Sequence, residues 1–205
     1  MSTGSLVMPQ RPAAQRAVRE AAPAVSNARL AMVVLIAAES MLFAGLIGAY
    51  LVFRLAARDW PPPDLPRLPL GLTAANTMAL LASVVPMRRA ARAVRRDDRR
   101  GGARALALTA LLGVVFLAVQ GAEWARLVRH GLTLASGVYG STFYVLIGCH
   151  GLHVVAAVTW LAVTAALAHR GFFTARRHAA LEMCAIYWYF VCGLWAILFP
   201  LVYIC

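Results

Sequence analysis

The chain has 205 residues, 61% of them hydrophobic, with a formal net charge of +12 and a mean hydropathy of +0.71. This apolar content stands above the roughly 45–50% of soluble domains and excludes an ordinary soluble globular fold. All 20 basic residues are arginines, set against eight acids. They lie in short polar gaps between apolar runs, the placement of a bilayer protein, which argues against the nucleic-acid binding that so basic a chain would otherwise suggest.

Residues 1–28 hold Arg11, Arg16 and Arg19 without an apolar run of signal type, and are expected to form a loosely ordered cytoplasmic tail. Five stretches then meet the need for about 20 apolar residues to cross a hydrocarbon core about 30 Å thick. They are expected at 29–54, 70–87, 104–126, 138–168 and 179–204. No gap between them is long enough to fold separately, so the fold class is all-α: a polytopic membrane protein with five transmembrane helices in one bundle over 29–205.

The first helix follows the N-capping types Ser26 and Asn27 and closes at Arg54. Glu39 falls near its middle, ten residues past Arg29, with no basic residue within a turn. A charged group in hydrocarbon costs several kcal/mol, so Glu39 needs a proton or a partner on a neighbouring helix. A relay role and a structural hydrogen bond are both open, and the structural one is preferred, since one carboxyl makes no pathway by itself. Ala44, Gly45, Gly48 and Ala49 form a small patch further along.

The second helix lies between WPPPDLPRLP and PMRRAARAVRRDDRR, and its Asn76 and Thr77 are expected to make interhelical hydrogen bonds. The basic segment 88–104 reads as a loop that anchors topology, with anionic lipid contact as a secondary role. Glu123, in QGAEWAR, comes near the end of the third helix, where headgroup water is expected to reach it. Glu182, opening HAALEMCAIYWYF, is expected in the same condition at the opposite face. Trp124, Tyr187, Trp188 and Tyr189 read as interfacial belt residues.

In the fourth helix, GCHGLHVVAAVTW places His150 and His153 at i and i+3 on one face. Two imidazoles could supply half of a metal site, but His130, His169 and His178 fall in or near loops. A haem would need an axial histidine in a roomy pocket. The preferred reading is that one imidazole bonds Glu39 or a backbone carbonyl across the helix interface. Gly140, Gly148 and Gly151 recur nearby, so the first and fourth helices are the expected tight pair. Cys149, Cys184, Cys192 and Cys205 lie in or at the end of apolar runs without C-x-x-C spacing and read as small packing residues.

Arginine counts set the expected orientation. Fifteen fall on the side of the tail and five on the other, which puts the N-terminus in the cytoplasm and Cys205 on the outer side. No P-loop, G-x-S-x-G or H-E-x-x-H occurs. A small polytopic chain with such sparse polar content reads as a subunit of something larger.

AAESMLFAGLIGAYLVFR, QGAEW, SGVYGSTFYVLIGCHGLHVVAA and LEMCAIYWYFVCGLWAILF, in this order, resemble subunit III of the haem–copper cytochrome c oxidases. The likeness spans nearly all of 29–205 and looks like the short form carrying the last five of seven helices. It implies an inner-membrane, multi-pass subunit of the aerobic respiratory chain with no redox centre and no catalytic, cofactor or metal residue of its own. Haem and copper are then expected in partner subunits I and II. The implied role is to pack on subunit I, bind phospholipid and sustain proton uptake, proton translocation and turnover stability. Glu39 matches the family's intramembrane glutamate, His150 and His153 its paired histidines, and Glu123 and Glu182 its acids near helix ends. Where the family commonly reads W-Y-W-H-F-V-D, this chain has Tyr189 for the His and Cys192 for the Asp. Sibling readings are the subunit III of a quinol oxidase and an accessory protein of nitric oxide reductase. A free-standing small transporter is a further alternative, although the chain shows no inverted repeat of broken helices. An enzyme holding its own haem is another.

Overall fold

In hydrocarbon, every backbone N–H and C=O must be satisfied within the chain, and a long apolar segment does this by forming a helix. The computed structural model describes residues 27–63, 68, 70–174 and 177–204. Tail residues Arg11, Arg16 and Arg19, together with Arg67, Arg176 and Cys205, lie outside the described residues. Among the described residues, five helical spans are long and apolar enough to cross a membrane. The first is α1 (Asn27–Ala56). The second is α2 (Leu70–Ala82) followed by α3 (Val84–Arg95). Then come α4 (Arg99–Arg129), α5 (Gly137–His169) and α6 (Ala179–Phe199), the last running into a wider π-helical turn at Pro200–Ile204.

Two boundaries depart from the sequence reading, and the causes are local. The second span does not stop at residue 87. Pro86 lies in the first turn of α3, where a helix N–H has no intrahelical acceptor and its absence costs nothing, so the chain breaks at Ser83 and continues to Arg95. The third span begins at Arg99 rather than 104, because the Asp98 carboxylate accepts from the Gly101 N–H at 2.9 Å and caps the helix. The segment 88–104 is therefore two helix ends joined by a tight turn, and not a loop.

The core is made where α4, α5 and α6 meet. A Cβ on Gly113 would come within 2.7 Å of Val158 and 2.8 Å of Trp188, so this glycine sets how closely the three helices approach. Trp188 and Trp195 are almost fully buried. Their indole N–H groups donate to Ser83 Oγ at 3.0 Å and to Thr77 Oγ1 at 2.9 Å. Asn76 Nδ2 donates to the Phe116 carbonyl at 3.1 Å, so Asn76 and Thr77 do bridge helices. Trp188 and Tyr187 are core residues rather than an interfacial belt, and Trp124 is half-buried. Cys184 and Cys192 are buried free thiols and Cys149 is half-buried.

The helix α1 packs on α5 and α6 through a few large side chains, Met32, Phe43 and Tyr50, and exposes most of its apolar surface. The expected small-residue seam between the first and fourth spans is not there. Ala44, Gly45, Gly48 and Ala49 are exposed, and a Cβ on Gly45 or Gly48 would meet nothing within 4 Å. On α5, Gly148 and Gly151 make room for the Trp124 indole of α4 instead.

Candidate functional site

The packing of α1 against α5 and α6 carries Glu39 to His153. Glu39 Oε1 lies 3.7 Å from His153 Nε2 and accepts from the Tyr187 hydroxyl at 3.4 Å. The other imidazole nitrogen, Nδ1, sits 2.7 Å from the Cys149 carbonyl one turn back on α5. A carbonyl can only accept, so Nδ1 holds a proton, and Nε2 is the nitrogen free to share one with the carboxyl. Glu39 Oε2 is buried and finds no hydrogen-bond partner among the described residues. Phe43 places its ring edge against His153 at a centroid distance of 5.1 Å and closes the site from the α1 side. The arrangement sets a buried carboxyl beside an imidazole, with a phenol hydroxyl donating to the carboxyl.

His150 takes a different environment. Three residues advance a helix by 300°, which leaves the two rings 60° apart and aimed at different neighbours. His150 stacks on Trp195 with centroids 5.1 Å apart and planes at 23°. It is buried, neither ring nitrogen has a hydrogen-bond partner among the described residues, and it lines a mostly apolar cavity of about 280 Å³ together with Phe116, Gln120, Trp124 and Gly151. Of the two histidines, only His153 meets Glu39.

Glu123 is not reached by headgroup water. It is 1% exposed, because α2 and the π-helical turn close over it. The Thr73 hydroxyl lies 3.0 and 2.9 Å from its two oxygens, and Gln120 Nε2 donates to it at 3.2 Å and to the Tyr203 hydroxyl at 3.0 Å. Glu182 pairs with Arg95 at 2.7 Å and with His178 at 3.3 Å. Among the described residues, no group of three or more His, Cys, Asp and Glu is placed to hold a metal ion.

This constellation, an intramembrane glutamate meeting the second histidine of an H-G-L-H turn, can be set beside known proteins. The family model for cytochrome c oxidase subunit III matches residues 17–205. The chain belongs to the cytochrome c oxidase subunit III family. Among its relatives, cytochrome c oxidase subunit 3 of Synechocystis sp. is 37% identical over 174 residues, covering 84% of this chain and 73% of that protein. The corresponding protein of Thermostichus vulcanus is 36% identical, with 85% and 86% covered, and that of Cyprinus carpio is 36% identical, with 88% and 70% covered. The subunit III family is a component of an oxidase complex, and this member is a multi-pass membrane protein.

The two residues that depart from the usual subunit III pattern both face the second span. Tyr189 lies under the Arg88 guanidinium at 5.9 Å, a cation–π contact. Cys192 is buried with Sγ 3.9 Å from the Leu80 carbonyl, where the small apolar thiol leaves no carboxylate to be paired. Sequence reasoning missed Tyr187, Thr73, Gln120 and Tyr203 as partners. Gln120 and Glu123, three apart on one helix face, were the available signal; the others come from distant helices.

Proposed function

We propose that this chain is the non-redox subunit III of a terminal haem–copper oxidase in the cell inner membrane. In this reading it packs on subunit I, binds phospholipid, and supports proton uptake and the stability of the turning-over enzyme. Haem and copper belong to the partner subunits. The observation that carries the proposal is the Glu39–His153–Tyr187 contact, a buried carboxyl set beside an imidazole and a phenol inside the bundle. The broad apolar surface left open on α1, with its small residues outward, supports a second chain packing there. The N-terminus belongs on the cytoplasmic side, as the arginine asymmetry favours.

The test is purification of the tagged chain from membranes in mild detergent, followed by an absorption spectrum. Haem bands co-eluting with the chain are expected. A colourless monomer that transports a solute by itself contradicts the proposal. A copper-bearing second subunit marks a cytochrome c oxidase, and one without copper marks a quinol-oxidising sibling.

A further inference from the structure

Where α4 begins and α5 ends, the chain gathers positive charge around one hollow. Arg99, Arg100 and Arg104 face His169 and Arg170 across a pocket of about 380 Å³ whose floor is the buried Ala103 and Ala168. Gly171 brings the two helix ends together. Its φ of +73° reverses the chain after α5, and a Cβ there would lie 3.5 Å from Arg99 Nη1. Among the described residues, none of these four arginines makes an ion pair with a carboxylate. Arg95 takes Glu182, and Asp98 is engaged as the cap of α4. Four guanidiniums at one helix junction outnumber the carboxylates of Asp97 and Asp98 beside them and favour a multiply bonding anion, and guanidinium forks match phosphate oxygens.

The surface below the pocket identifies the anion's other half. Arg104, Leu108, Leu111 and Val115 follow at i, i+4, i+7 and i+11, one face of α4, and the three apolar residues are 47%, 58% and 42% exposed. On α5, Val163 lies two turns from Arg170 and is also exposed. A free phosphate or nucleotide would use the arginines and leave these stripes unused. A lipid uses both.

We propose that this pocket binds the headgroup phosphate of an anionic phospholipid, whose acyl chains lie along the Leu108–Leu111–Val115 face of α4. The proposal rests on the lipid-binding part of the function proposed above, and gives it a site formed by the chain's own helix ends. It is tested on the assembled complex in nanodiscs of dioleoylphosphatidylcholine with or without dioleoylphosphatidylglycerol, reading the lipid retained on the chain by native mass spectrometry. Selective retention of phosphatidylglycerol is expected, weakened about thirtyfold in Arg99→Gln/Arg170→Gln at roughly 1 kcal/mol per arginine. Arg126→Gln/Arg129→Gln at the other end should leave retention unchanged. If the double variant fails to assemble, Arg104→Gln serves, with an expected loss of about fivefold on the same basis. Equal retention of both lipids, or displacement of phosphatidylglycerol by excess inorganic phosphate, overturns the site. Retention can also be read on the chain alone, so failure to co-purify with haem-bearing subunits would sink the proposed function without touching this result.

Discussion

Glu39 accepts one hydrogen bond on Oε1 and keeps Oε2 buried and unpaired, a state that costs free energy unless a proton or a further group meets that oxygen. Glu39→Gln preserves size and hydrogen bonding but removes the ionisable carboxyl beside His153. The expected outcome is an assembled oxidase with unchanged haem spectra that loses activity faster during turnover. A changed haem spectrum would contradict the structural placement of Glu39. Tyr187→Phe removes only the hydroxyl, so its cost should be that of one membrane hydrogen bond, about 0.6 kcal/mol and at most about 1.7, read as a small drop in thermal stability. His150→Phe should be tolerated or mildly stabilising in the same assay. It keeps the stacking on Trp195 and deletes two buried nitrogens that have no partner. Glu39 and the H-G-L-H turn were legible in the sequence as a polar contact between the first and fourth spans. Which histidine makes that contact was not, because helical periodicity places both rings within 60° of each other and only tertiary packing decides which neighbour each one meets.

At the scale of elements, the apolar runs showed five spans plainly, since length and hydropathy alone decide that a segment can cross a bilayer. Their ends were less legible where arginine-rich helix was mistaken for loop: the caps at Ser83–Pro86 and Asp98 are single-residue events inside polar sequence. The small residues of α1 show a different limit. Smallness says that a backbone can be approached closely, and the approaching helix is not named by it. On α4 the criterion is met within the chain, so Gly113→Val should strain the contact with Val158 and Trp188 and cost about 1–3 kcal/mol, seen as a lower melting temperature of the purified chain. On α1 nothing lies within 4 Å of Gly45 or Gly48, so Gly45→Leu/Gly48→Leu should leave folding and membrane insertion intact. The same pair should reduce recovery of haem-bearing partners in a pull-down. Unreduced recovery would place the partner on another face.

The whole molecule is asymmetric in charge and in burial. One end of the bundle carries the arginines of α3, the start of α4, and the end of α5, while the other end closes over Glu123 with Thr73, Gln120 and Tyr203. Between them, a core of α4, α5 and α6 holds two buried tryptophans in hydrogen bonds to the second span, and α1 rides on its flank through Phe43 and Tyr50. The chain's family is a component of an oxidase complex, and in the function proposed above a chain built this way steadies that assembly. The most direct measurement of that claim is to strip this chain from the isolated oxidase and follow oxygen consumption and the haem spectrum together. An unchanged haem spectrum and a substantial initial rate, followed by accelerated loss of activity during turnover that re-addition of the chain prevents, is the predicted result. Immediate loss of haem absorbance along with the chain would contradict it.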